Sequence, residues 1–566
     1  MQIIKSLLTS LVFMSPFILQ AQTTYVPEGS KEYDIIDRLQ IKEGNNRSIL
    51  FSGLKPYSRR YLIREAEFLD SARTTLSSSL TGNDNEWKGL NLTKIDEYNL
   101  HSILMDNSEW VTGSKESFLS KKPILKSFYT TKPNLLEVNT KDFFLALNPI
   151  IDFTAGSESA GSETLFYNKR GLTARGRIAN KIGFSTTITD NQERDPLFVQ
   201  NRVDSFHAVP GVGFYKSFKT TGYDYFDARG YITFNITKYI DVQYGYDKNF
   251  IGDGYRSLFL SDFSNSYLFL KLNTKIWRFN YQNLFMELMP QFVKHGDVLI
   301  ARKYAAMHHL SMDVNKWLNL GVFESIVFGR KDVFDFEYLN PIIFLRHIEG
   351  TVGSPDNAFA GMDFKANVAH HFQFYGQLLL DEFILKQVFK NDGYWANKYG
   401  YQLGAKYVDA FTIKNLDLQF ETNRVRPFTY SHSDSVADYT HYNLPLAHPL
   451  GANFQEFIGI AKYQPAPKWY ITGRVIYYYQ GLDSAGQNFG GNPFELYTTR
   501  TMDYGYNVGG GRKINVVNSY LALSYELKEN LFLEGSYMFR KVTATPTTNV
   551  FEIGVRWNAA RREFDY

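Results

Sequence analysis

The sequence predicts an all-β transmembrane barrel of about 18 antiparallel strands, with a small N-terminal helical region and helices in the outer loops. Three observations predict it. From Phe143 onward the hydrophobic period is two, the connections sort by parity into tight turns and long loops, and no apolar run of span length follows residue 21. The chain has 566 residues, 61 Lys+Arg against 58 Asp+Glu, a formal charge of +3, no cysteine, 39 Tyr and 46 Phe. Near-balanced charge argues against a nucleic-acid partner held by bulk positive charge. The absence of cysteine removes disulfides, thiolate metal sites and cysteine nucleophiles.

Residues 1–21 read as a cleaved signal peptide. Lys5 supplies the positive start, Leu7–Leu19 the apolar core, and Ala21 the small residue before the cut. Residues 22–140 read as a periplasmic, plug-like helical region and connector. Lys55-Pro56-Tyr57-Ser58 opens a helix with Leu62, Ala66, Leu69 and Ala72 on one stripe, and a second helix is expected from about Trp87 to Met105. Residues 114–140, rich in Lys, Ser, Thr and Pro, read as the connector.

Residues 141–566 read as the barrel. Phe551, Ile553, Val555 and Trp557 alternate with Glu552, Gly554 and Arg556, and Ala228, Gly230, Ile232, Phe234 and Ile236 with Asp227, Arg229, Tyr231, Thr233 and Asn235. Side chains alternate across a strand, so each segment has one apolar and one polar face. Strands are expected to start near Phe143, Leu172, Ile182, Ala228, Ile240, Tyr267, Ile276, Tyr304, Leu318, Ala358, Phe372, Tyr401, Leu416, Phe457, Trp469, Val516, Leu531 and Val550. Every second connection is a tight polar turn, as at Asn180-Lys181, Asn273-Thr274-Lys275, Asn315-Lys316-Trp317, Lys414-Asn415 and Lys528-Glu529-Asn530. The others are mostly long, such as 190–226, 249–265, 329–356, 381–400, 424–453 and 481–513. An outer-membrane barrel sorts its connections this way, short on the periplasmic side and long outside.

Arg175, Arg177, Asp227, Arg229, Lys406, Asp417, Glu421, Glu534, Arg540, Glu552 and Arg556 are expected to face the lumen, where mixed charge suits a salt-bridge network. Three loop stretches stand out. Glycines flank Asp253 in Gly252-Asp253-Gly254-Tyr255-Arg256-Ser257-Leu258, and Leu260-Ser261-Asp262 follows. Asn340-Pro341 is a helix-start signature that would set Arg346 and Glu349 three apart on one face. His448-Pro449-Leu450-Gly451-Ala452-Asn453 suggests a fixed re-entrant turn before the fourteenth strand.

At these stretches the chain resembles the Wzi-type capsule-assembly family of outer-membrane barrels, and its Asn340–Glu349, Ser354–Asn357 and His448–Asn453 segments resemble the gliding-bacterium branch. The likeness extends over most of residues 30–566. Where the family's glycine-rich stretch usually continues into prolines, this chain reads Phe263-Ser264-Asn265-Ser266-Tyr267. The resemblance implies an 18-stranded barrel in the outer membrane of a Gram-negative bacterium, with an N-terminal helical part and loop helices obstructing the lumen. It implies lectin-like attachment or assembly of capsular polysaccharide, or a link to surface motility.

Sugar recognition needs aromatic faces for pyranose C–H groups and fixed carboxylates, amides and guanidinium groups for hydroxyls. The outer-loop candidates are Asp253, Tyr255 and Arg256; Asp335, Glu337, Arg346, Glu349, Asp356 and Asn357; and Asp392, Tyr394 and Trp395. No catalytic residue, metal or cofactor is expected. The neighbours in His308-His309 and His370-His371 diverge on a strand, and Ser431-His432-Ser433-Asp434 is a polar loop run without a defined geometry. The expected partners are outer-membrane lipid and surface polysaccharide. The alternatives are an accessory subunit of secretion or gliding-motility machinery, or a substrate-selective porin.

Overall fold

The computed structural model describes residues 23–566 except 47, 79–91, 293–298, 343, 354, 383 and 391, with backbone alone over 72–78. The expected signal peptide, the Trp87 start of the second helix and Ser354 lie outside the described residues.

Eighteen antiparallel strands close into one barrel. They are β1 Phe143–Glu158, β2 Leu165–Ile178, β3 Ile182–Arg194, β4 Gly222–Thr237, β5 Ile240–Asp247, β6 Tyr267–Ile276, β7 Phe279–Leu288, β8 Lys303–Asp313 and β9 Leu318–Phe328. The second half comprises β10 Asn357–Val368, β11 Phe372–Glu382, β12 Lys398–Tyr407, β13 Leu416–Val425, β14 Phe454–Ala466, β15 Trp469–Leu482, β16 Arg512–Lys528, β17 Leu531–Val542 and β18 Thr548–Trp557. Strand β18 pairs with β1, Val555 opposite Phe153, so no edge is left open.

Every expected strand overlaps an observed one, and the tight and long connections alternate as expected. One turn is displaced. Asn273-Thr274-Lys275 lies inside β6, which continues to Ile276, paired with Phe279 across a Trp277-Arg278 turn. The polar residues are there because Lys275 donates to the Ile49 carbonyl of the N-terminal region and lies 4.0 Å from the Tyr61 ring. They serve a tertiary contact rather than a turn.

The alternation also fixes which face meets lipid. Phe551, Ile553 and Val555 on β18 are exposed, as are Leu320 and Val322 on β9, Met362 on β10, and Leu521 and Leu523 on β16. Their sequence neighbours face inward, so the exposed set forms an apolar belt. Trp277, Trp317, Trp469 and Trp557 stand at the short-turn rim, where indoles sit at a membrane–water boundary.

The N-terminal region caps the short-turn mouth. Helices α1 (Lys31–Glu43), α2 (Arg59–Ser78) and α3 (Lys94–Asp106) pack through Ile36, Leu39, Leu62, Leu69, Leu100 and Ile103. Thr93 and Asp96 form a capping box at the start of α3. The charges of α1 are explained by its surroundings: they tie the cap together and join it to the barrel. Lys31 bonds Glu526 at 2.7 Å and also meets Glu529, while Arg38 bonds Asp96 at 2.6 Å and Asp409 at 2.7 Å and also meets Asp417. Lys42 joins the Asp96–Asp409 pair, and Lys406 reaches Asp37 at 2.7 Å. From the wall, Arg175 reaches Glu109 at 3.0 Å.

After β18, residues 559–566 turn into the lumen and climb it. Arg561 and Arg556 share Glu534, Arg562 bonds Glu193 at 3.0 Å, and Glu563 meets Arg474. The sequence offered no period for this segment.

Candidate functional site

The glycine-rich loop between β5 and β6 folds inward rather than outward. Glu421 on β13, fully buried, organises it. Its carboxylate accepts from the Tyr255 N–H at 2.6 Å, the Arg256 N–H at 3.0 Å, the Tyr375 hydroxyl at 2.8 Å, and the Gln402 and Asn423 amides. Gly254 is required by this approach: a Cβ there would stand 2.7 Å from both Glu421 and Gln402. Gln377 on β11 accepts from the Leu258 N–H and donates to the Ile251 carbonyl. Phe259 stacks on Phe323 at 4.4 Å, and Tyr430 and Tyr439 donate to the Leu258 and Phe259 carbonyls. The residues leading into the His448–Asn453 turn meet the same loop, with Ser261 N–H donating to Leu446 O at 2.9 Å.

This overturns the placement of Asp253, Tyr255 and Arg256 among outer-loop residues. Asp253 accepts from Ser52 of the cap at 3.0 Å. Tyr255 hydrogen-bonds Asp565 and accepts from Arg474 at 2.6 Å, and Arg256 bonds Asp565 at 2.9 Å and Glu456 at 3.4 Å. Burial would raise the Asp565 carboxyl, but Arg256 and Arg474 beside it hold it below the usual range. Burial drives the His448 imidazole below its ordinary value, partly opposed by Glu456 at 2.8 Å. Between cap, tail and loop remains a cavity of about 640 Å³, lined by Glu28, Lys169, Arg229, Lys248 and Arg256 among others.

The loop between β9 and β10 folds the opposite way, over the outside of the wall. Its Tyr338, Leu345 and Ile348 pack on Phe285, Tyr304, Ala306, Ile326 and Phe328. The strand neighbours of those residues, Leu284, Met286, Ala305, Met307 and Val327, belong to the lumen core, so this cluster is external. The helix expected at Asn340-Pro341 starts later, as α4' s successor in the chain: α4 spans Leu197–Phe206 in the β3–β4 loop, and α5 spans Leu345–Thr351 here. Asn340 instead accepts the Ile342 N–H in a turn, and the Leu345 N–H goes to Glu324 at 3.0 Å.

The candidates on this flap are bracing groups in part. Arg330 grips Asp356 with two bonds, 2.7 and 2.6 Å, Tyr338 donates to Asp356 at 2.7 Å, and Asp335 lies 3.4 Å from Arg330. Arg346 pairs with the buried Glu349 three residues on, Asn357 is buried at the start of β10, and Glu337 is exposed. Asp356→Ala should strip Arg330 of its two-bond partner and Tyr338 of its acceptor, loosen the flap by about 2 kcal/mol, and raise protease cutting within 329–352 in proteoliposomes. Unchanged cutting would refute the brace.

Asp392, Tyr394 and Trp395 do come together, with partners the sequence left unnamed. The β11–β12 loop, which carries α6 (Leu385–Lys390), meets the β15–β16 loop through Trp395 N–H to Asp503 O at 3.0 Å and Gly505 N–H to Asp392 O at 3.0 Å. Arg500 lies over the Trp395 ring at 3.7 Å and bonds Asp503, while Tyr497 flanks the ring at 4.8 Å. Tyr394 sits 5.3 Å from Tyr504, which is exposed. Arg426 ties the loops by donating to the carbonyls of Asn397, Tyr394 and Tyr506. The result is an aromatic shelf with a guanidinium and a carboxylate at the long-loop end. The run Tyr497-Thr498-Thr499-Arg500-Thr501-Met502-Asp503-Tyr504 carries the residue types that would have pointed to it.

The members of each histidine pair go to separate partners, His370 to the Lys42 carbonyl and His371 to that of Val408. His308 bonds Glu324 outside the wall and His309 bonds Asp363 inside it, and no three-ligand cluster exists among the described residues. In Ser431–Asp434 the serine donates to Phe428 O, and His432 accepts the Asp434 N–H, which makes a turn.

Fold and site together define a transmembrane barrel with a re-entrant loop and tail in its lumen and a helical cap on its short-turn mouth. No known family model matches the chain, and the comparison with curated proteins finds no match. Among solved structures the fold is similar to that of Wzi, an outer membrane protein involved in group 1 capsule assembly in Escherichia coli and described as a carbohydrate-binding β-barrel. The two share 12% identity over 96% of this chain and 100% of that one, with a TM-score of 0.58. OprD, an outer membrane protein of Pseudomonas aeruginosa, aligns at 11% identity over 73% of this chain and 94% of that one, with a TM-score of 0.42.

Proposed function

We propose that this protein is a non-enzymatic barrel of the Gram-negative outer membrane, exported by a cleaved Met1–Ala21 signal, that holds surface polysaccharide at its outer loops. The carrying observation is what stands in the lumen: cap, tail and re-entrant loop meet there, bonded to one another and to the wall around a cavity of about 640 Å³. A barrel so built works at its surfaces. The shelf of Tyr394, Trp395, Arg500, Asp503 and Tyr504 supplies the stacking faces and fixed charges that sugar rings and hydroxyls require. The description of Wzi as carbohydrate-binding supports the same reading.

Two measurements test it together. The purified protein is expected to be retained on immobilised native surface polysaccharide and to give no stable current steps in planar bilayers. Tyr394→Ala with Tyr504→Ala should weaken retention roughly tenfold, a loss of about 1.4 kcal/mol, while Tyr255→Ala should leave it unchanged. Stable steps from the intact protein would favour a porin. Retention unaffected by the double substitution would remove the shelf from the site. Co-purification of a secretion or motility protein, lost on deleting the cap, would favour an accessory subunit.

A further inference from the structure

The Lys-rich connector ahead of the barrel has no part in the lumen or the shelf. Residues 118–132 form a hairpin-like finger at the short-turn rim. Its base is closed by Ser120 N–H to Thr130 O at 3.0 Å and Lys132 N–H to Phe118 O at 2.9 Å. Its tip is closed by Ile124 and Phe128, which exchange backbone bonds of 2.8 and 2.9 Å. Phe118 is buried in the core of the cap, so one side of the base is fixed there.

The other side climbs onto the outer wall. Tyr129 stacks on Trp557 with ring centroids 6.2 Å apart and an 8° interplanar angle, and the Lys528 ammonium sits 3.2 Å from the Tyr129 ring centroid. Trp557 continues the outward row of Ile553 and Val555, which is the lipid-facing row. The finger therefore begins where the apolar belt ends.

Beyond that anchor its side chains are bare. Leu125 is 81% exposed, Ile124 56% and Leu119 54%, and Lys121, Lys122 and Lys126 are exposed between them. Contiguous exposed apolar residues interleaved with lysines suit a headgroup boundary, where alkyl chains enter the acyl region and ammonium groups stay at the phosphates.

We propose that residues 119–128 are a membrane-surface finger that seats Leu119, Ile124 and Leu125 in the periplasmic leaflet and binds anionic phospholipid headgroups through Lys121, Lys122 and Lys126. The continuity with the lipid-facing wall selects lipid as the occupant, and the three lysines select the anionic kind. Each lysine near such a surface favours binding by about fivefold.

The lack of cysteine in the chain makes the test clean. The full-length Leu125→Cys protein, carrying a polarity-sensitive dye, is placed in nanodiscs of phosphatidylglycerol or of phosphatidylcholine, with exposed Ser114→Cys on the cap as the aqueous control. The dye at position 125 is expected to emit to the blue of the control, to be quenched by a shallow lipid-borne spin label, and to resist iodide. That lipid quenching should be stronger in phosphatidylglycerol. Changing Lys121, Lys122 and Lys126 to glutamine should reduce it to the phosphatidylcholine level. Iodide quenching equal to the control would overturn the proposal, because the finger would then stand in water. Protection from both quenchers would overturn it too, since protein would then be the cover. Equal lipid quenching in both nanodiscs would overturn the role given to the lysines.

Discussion

Glu421→Leu is expected to unseat the re-entrant loop while leaving the barrel closed. The carboxylate receives two backbone N–H groups of that loop and three wall donors, all in a site without solvent. Leucine accepts none of these bonds. Removing one side of such a network costs about 3–5 kcal/mol, because buried donors are left without partners. The strand ladder of β13 with β12 and β14 does not depend on the side chain, so the wall should persist. Ser257, fully buried in the loop, reports the outcome once changed to cysteine. Maleimide should label it slowly in the parent and at least tenfold faster beside Glu421→Leu, and bilayer current steps should appear. Slow labelling and silence in both backgrounds would show that the loop is held without the Glu421 network.

Arg38→Met should have the second large effect, on the cap. Arg38 touches Asp96 of the cap, Asp409 of the β12–β13 turn and Asp417 of the wall, so its loss leaves Asp96 and Asp409 sharing Lys42 and takes from Asp417 its guanidinium. The expected cost to docking is again about 3–5 kcal/mol, read as faster labelling of Ser102→Cys, a buried position beside Glu529.

Acid should mimic the substitution. Burial alone would raise Asp409, but the Arg38 guanidinium and the Asn415 N–H hold it at about 2. Undocked, the group returns to an ordinary value near ~3.9. The undocked state therefore binds the proton first, so the contribution is whole above about pH 4 and is lost as pH falls toward 2. Cap exposure should rise across that window in the parent and much less in Asp409→Asn. A flat response in the parent would remove Asp409 from the lock.

The wall could be read from the sequence because strand alternation is local: Ile553 faces lipid and Glu552 faces the lumen by position alone. Turn chemistry was nearly as informative, and it failed at Asn273-Thr274-Lys275 because a polar residue that serves a distant partner looks like one that serves a turn. Where each long loop goes was not readable. Tyr255 and Glu421 are 166 residues apart, and the glycines that permit their contact signal a sharp backbone without naming its direction. The flap over the outer wall was hidden for a related reason. Tyr338, Leu345 and Ile348 pack on a lipid-facing surface, which one-dimensional patterning cannot distinguish from a lumen-facing one. The shelf was half visible, since Tyr394 and Trp395 were candidates while Arg500 and Tyr504 lay in a loop read only for its length.

The segment 559–566 leaves β18 at the rim and rises to Arg256 through the mouth that the three helices fill, with Gly29 of the cap directly against Ala560. Cap and tail therefore share one entrance, and the surface on which Gly29 rests is supplied by the far end of the same chain.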